Sequence, residues 1–154
     1  MSFSRKLGLS AAVVSLLGLA PLLAAQPPKE TTDQDRLQGE WVLVGLDVRE
    51  EFVPAAKLTG TTLVIRGDKY TTVVKKKEYP TTFKLDPKQD PKHIDMMIPD
   101  EGGTPRLAKG IYKIDGDKLV ISRGQAAGGE RPRDFVSSAT NDVFVVTWER
   151  KAKP

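Results

Sequence analysis

The sequence contains no cysteine. This excludes disulfides, thiolate catalysis, zinc–cysteine sites and lipid attachment at an N-terminal cysteine. There is one histidine, His93. One imidazole without thiolates leaves too few ligands for a transition-metal site, so no metal or cofactor is expected. No nucleophile-elbow motif is present, which removes the positioned serine that a Ser-His-Asp hydrolase needs. Coiled-coil heptads, internal repeats and long helical patterns are also absent. Charge of one sign is scarce. Of 24 basic side chains, Arg5 and Lys6 lie in a segment expected to be removed, leaving 22 against 20 acidic ones. So even a balance gives no support for a nucleic-acid partner.

What is present begins with an address. Ser4-Arg5-Lys6 is a short positive region, and Leu7 to Ala25 is apolar and uncharged. Small residues at Ala24-Ala25 precede Gln26-Pro27-Pro28. Residues 1–25 therefore read as a secretory signal peptide, with cleavage near Ala25-Gln26 and a secreted or periplasmic product. A retained anchor helix is the alternative, but Gly8, Gly18 and Pro21 weaken it. Residues 26–34 read as a flexible leader. Residues 35–154 suffice for one domain, which must be stable on packing alone. No transmembrane segment is expected after processing, and the product is expected to be a monomer.

The domain opens with a possible helical turn over Asp35–Gly39. Eight strands are predicted: Glu40–Asp47, Thr61–Arg66, Lys69–Lys76, Tyr79–Leu85, His93–Ile98, Leu107–Ile114, Lys118–Ser122 and Asp142–Arg150. Glu50–Gly60 reads as a connection holding one helical turn. Gly67-Asp68 and Asp115-Gly116-Asp117 are tight turns, and Gly124–Asp134 is a long mobile loop. With no crossover helix between strands, the sequence disfavours a parallel arrangement. The pattern is all-β and antiparallel, a sandwich or a barrel.

Each candidate for chemistry has a simpler reading. His93 and Asp95 share a strand face, as a catalytic pair would, but a histidine opening a strand is the simpler reading. Asp115-Gly116-Asp117 resembles part of a calcium loop, yet lacks the further ligands and closing Glu. It reads better as a hairpin turn built on Gly116 and Asp117. Glu40, Glu50-Glu51, Asp100-Glu101 and Glu130 have no spacing that pairs them for glycoside hydrolysis. Lys75-Lys76-Lys77, and the group Arg123, Arg131 and Arg133, could bind anions. The lysines also suit a soluble hairpin tip. No catalytic residue is assigned.

The opening Leu37-x-Gly39-x-Trp41 resembles the Gly-x-Trp of lipocalins and the wider calycin families. That resemblance implies an eight-stranded up-and-down barrel closed at one end by Trp41, with Arg150 packed across the indole. A longer ordered set also resembles a family of small secreted, lipocalin-like domains expanded in planctomycete bacteria. It comprises Leu37-Gln38-Gly39-Glu40-Trp41, Val53-Pro54, Lys57-Leu58-Thr59-Gly60, Gly67-Asp68-Lys69-Tyr70 and Phe83-Lys84-Leu85-Asp86-Pro87. It continues through Pro91-Lys92-His93-Ile94-Asp95, Gly110-Ile111-Tyr112, Gly116-Asp117-Lys118-Leu119 and Glu130-Arg131-Pro132. Ile121-Ser122-Arg123-Gly124 departs from it, since members often carry a cysteine or an aromatic there. The resemblance implies export and a barrel, and it lends no activity. It marks Gly110, Tyr112, Arg131 and Pro132 as structural, with Arg131 tying the long loop to the barrel end.

Strand alternation then assigns an interior. One set is Trp41, Leu43, Leu63, Ile65, Phe83, Leu85, Ile94, Met96, Ile98, Ile111, Leu119, Ile121, Val143 and Val145. Apolar residues also lie on the other face, among them Val42, Val44, Tyr112, Ile114, Phe144 and Val146. The expectation is an exported, non-enzymatic barrel that binds a small apolar or amphipathic ligand. The alternative is a cell-envelope interaction or structural module with a filled core and an envelope protein as its partner.

Overall fold

The structure, a computed structural model, describes residues 30–99, 104–125 and 128–152. The expected signal peptide and residues 26–29 of the expected leader lie outside the described residues. Helix α1 (Asp33–Leu37) begins inside the segment expected to be leader. Thr32 caps it, and the Thr32 and Asp35 side chains bond each other's backbone N–H groups. This reciprocal box offsets the cost of starting so short a helix.

Nine strands follow. They are β1 (Gly39–Val48), β2 (Glu51–Pro54), β3 (Thr61–Arg66), β4 (Lys69–Val74), β5 (Lys77–Asp86), β6 (Lys92–Ile98), β7 (Arg106–Asp115), β8 (Lys118–Gly124) and β9 (Val143–Arg150). A 3-10 turn, Ala55–Lys57, separates β2 from β3. All pairings are antiparallel. β1 and then β3 to β9 pair in chain order, and β9 pairs back onto β1. Eight strands thus close an up-and-down, lipocalin-like barrel. β2 is an extra strand on the far half of β1.

β2 was not expected, and the predicted third strand ran two residues too far, to Lys76. Both differences have one cause. The hairpin turns Arg49-Glu50 and Lys75-Lys76 hold left-handed φ values of 50°, 68°, 49° and 69° without a glycine or asparagine. Such a turn normally announces itself by those residues.

A bulge between Leu43 and Gly45 explains the unbroken apolar run of β1. It shifts the phase so that Trp41 and Leu43 face inward, and then Leu46 does. The core cluster includes Leu37, Trp41, Leu63, Ile65, Phe83, Ile94, Met96, Leu119 and Ile121. Three members of the expected interior set are corrected. Ile111, Val143 and Val145 point outward, and Tyr112, Ile114, Phe144 and Val146 take the inward phase of β7 and β9.

The outward three are nonetheless buried, as is Ser122 beside them. Residues 128–142 strap this outer face. Gly128 N–H bonds the Leu107 carbonyl, Lys113 sits over the Phe135 ring, and the Ser137 hydroxyl accepts from Glu50 N–H. With both faces of β7 and β9 covered, both carry apolar residues, and alternation alone cannot tell inside from outside.

Candidate functional site

One barrel end is closed. Leu37 of α1 is buried, and its carbonyl accepts the Trp41 indole N–H at 3.0 Å. The Arg150 guanidinium lies 4.2 Å from the centre of the Trp41 ring. It donates to the carbonyls of Gln38 and Arg36, and to the Asp117 carboxylate at 3.2 Å. Gly39 stands at φ +121°, and a Cβ there would come within 3.3 Å of Arg150 Nη1. Only glycine combines that backbone with that proximity. Gly39, Trp41, Asp117 and Arg150 therefore form one assembly, with Gly116 turning the chain beside it.

Asp33 extends this plug. Its carboxylate accepts from Lys92 Nζ at 2.6 Å and from the Tyr112 hydroxyl at 2.8 Å. Burial opposes ionisation, but the hydrogen bonds from Lys92 and Tyr112 and the charges of Lys92 and Arg36 outweigh it. They hold the carboxyl below the usual carboxylate range. A depressed folded-state pKa gives stability that is fully present above the unfolded value and is lost as pH falls through the folded one. Asp33→Asn is expected to cost about 1 kcal/mol at neutral pH, Lys92 being partly solvated. It is also expected to flatten the acid limb of stability below about pH 4, as read from urea midpoints across pH.

Gly110 and Arg131 meet on the barrel wall. A Cβ on Gly110 would lie 2.8 Å from the Ser122 carbonyl oxygen and 3.2 Å from Ile94. Arg131 donates to the carbonyls of Gly110 at 2.6 Å and Ile94 at 3.3 Å, and to Asp95 at 2.6 Å. The expected tie to the barrel end is corrected to one that pins the strap onto β6 and β7. Pro132, half-buried, follows within the strap.

The remaining candidates separate. Asp95, paired with Arg131, is not held by His93. Glu40 is paired with Lys151, while Glu50, Glu51 and Glu130 are exposed and not brought together. Asp100 and Glu101 lie outside the described residues. Among the described residues no group of three metal-ligating side chains occurs, and no helix is long and apolar enough to cross a membrane. The three arginines part company: Arg131 is on the outer wall, Arg133 is exposed, and Arg123 is inside.

At the end opposite Trp41 the interior is not filled. A cavity of about 380 Å³ lies between Leu43, Leu46, Leu58, Val74, Met96, Ile98, Ile121, Phe144 and Val146. Thr61, Thr72 and Thr81 add hydroxyls, and Tyr79, 47% exposed, stands where it reaches solvent. The lysines of the β4–β5 turn project from this same end.

Besides these hydroxyls, Tyr70, Arg123 and Trp148 line the cavity among the apolar residues. The Arg123 guanidinium lies 4.3 Å from the Phe144 ring centre and donates to the Gly124 carbonyl at 3.0 Å. Among the described residues no carboxylate pairs with it. Burial lowers its pKa from the ordinary value, with Tyr70 acting in the opposite sense. Burial pushes the Tyr70 phenol well up against weaker pulls from Arg123 and Trp148, so its hydroxyl keeps its proton. The Trp148 indole N–H is buried and, though near enough to bear on Tyr70's ionisation, makes no hydrogen bond of proper geometry. Sequence reasoning named Arg123 only within a group that could bind anions, and placed neither Tyr70 nor Trp148 in a site. A signal existed: Leu119, Ile121 and Arg123 alternate on one strand, so the phase that puts the first two inside puts the arginine there too.

No protein-family model matches the chain, and no curated protein or solved structure matches it.

Proposed function

We propose that this is an exported, non-catalytic barrel that carries a small apolar or amphipathic molecule as a monomer. The observation that carries the proposal is the cavity. At about 380 Å³ it falls within the range of small-molecule sites, and it is apolar with few polar groups, as such sites are. It lies away from the Trp41 plug, so occupancy need not disturb what closes the barrel. The basic and apolar pattern of residues 1–25 supports export. Among the described residues that line the cavity none pairs a base with a nucleophile, which favours holding over chemistry.

The reading as an envelope module has one favourable observation. Met97 and Leu107 are register partners on the outer wall and both are exposed. Two such side chains make a small patch, below the size that marks an interface. Native mass spectrometry of the exported protein, with an apolar-dye displacement panel, tests the carrier reading. A releasable small-molecule adduct or displaceable dye supports it. Absence of both overturns it.

A further inference from the structure

We infer that the molecule held in the cavity carries an anionic head group, a carboxylate or its equivalent, bound by Arg123 with Tyr70. The inference rests on reading the cavity as a ligand site and adds the chemical class of the ligand. A guanidinium inside an apolar cavity is costly unless an anion or strong acceptors meet it. Here the protein supplies one carbonyl and the Phe144 face, and among the described residues no carboxylate. The Tyr70 phenol, which keeps its proton, and the Trp148 ring line the same space, while the Trp148 indole N–H itself is buried and near enough to bear on Tyr70. Arg123 can only donate, and the hydroxyls of Tyr70, Thr61, Thr72 and Thr81 can donate as well. A lining with one fixed cation, no carboxylate among the described residues and hydroxyls free to donate complements an anion and disfavours a cation.

The apolar body of the ligand fits against Leu43, Leu46, Leu58 and Ile98. Its size follows from the volume: at roughly 30 Å³ per non-hydrogen atom, about a dozen such atoms fill the space. Medium-chain alkanoates have this size and polarity. Lys75 and Lys76, exposed at the open end, add a favourable field for an approaching anion.

The test is a calorimetric titration of the mature protein with decanoate, decanol and decylamine at pH 7.5, where the acid is ionised and the amine is protonated. Decanoate is expected to bind at least about tenfold more tightly than decanol, and decylamine more weakly than either. Arg123→Gln is expected to weaken decanoate by about 10- to 100-fold and to leave decanol within about twofold. Equal binding of decanoate and decanol overturns the anionic head group and leaves the carrier reading standing. Binding of none of the three overturns both. The comparison of head groups uses the unaltered protein, so it decides the question whatever the stability of the variant. An unchanged decanoate affinity in a folded Arg123→Gln protein overturns the role of Arg123.

Discussion

Trp41→Ala is expected to lower the unfolding free energy by about 3–5 kcal/mol, the range for removing a buried large aromatic. The side chain is wholly buried, so the substitution leaves a void where α1, β1, β3 and β9 converge. Two further losses add to the void. The Leu37 carbonyl loses its donor at 3.0 Å, and Arg150 loses the ring under its guanidinium. The cation–ring term is about 0.5–2 kcal/mol and should appear as coupling in a Trp41/Arg150 double-mutant cycle. Trp41→Phe should recover more than half of the loss, since it restores the ring but not the N–H. Urea unfolding of the mature domain measures all of these variants. An unchanged midpoint for Trp41→Ala would remove Trp41 from the centre of the fold.

Gly110→Val is expected to cost about 3 kcal/mol, the upper end for overpacking a filled site. The nearest atom to the added Cβ is a backbone carbonyl oxygen of β8, at 2.8 Å. No rotamer change can move it. Relief requires β7 and β8 to separate, and that separation also moves the Gly110 carbonyl from Arg131, 2.6 Å away. The variant should therefore loosen the strap as well as the wall. Limited proteolysis reads this: cleavage within residues 128–142 should quicken in Gly110→Val before global unfolding. Equal proteolysis rates with an unchanged midpoint would show that the strand pair has more room than its atoms indicate.

How legible this was in the sequence depends on local signals. The eight barrel strands follow from alternation and from Gly67-Asp68 and Gly116-Asp117, which turn the chain where those residue pairs say they should. β2 was hidden because Arg49 and Glu50 occupy left-handed backbone that such residues seldom adopt. The inward faces of β3, β5, β6 and β8 were readable because only one face of each is strongly apolar. On β7 and β9 the strap removes that asymmetry, so Ile111 looks like an interior residue although it lies under residues 128–142. The plug was legible through Gly39, Trp41 and Arg150. The cavity was not. It is a difference between packed volume and available volume, which no single residue carries. Arg123 was visible only as a charge, and its phase with Leu119 and Ile121 was the overlooked clue.

The central claim is that the barrel end opposite Trp41 is a ligand site. The most direct measurement is fluorescence titration of an apolar dye into the mature protein and into Thr81→Phe, which puts a ring into the cavity. The account predicts one dye bound per unaltered chain, loss of at least about tenfold in affinity for Thr81→Phe, and an unfolding midpoint no lower than that of the parent. Equal dye binding by both proteins would contradict it and place the dye elsewhere.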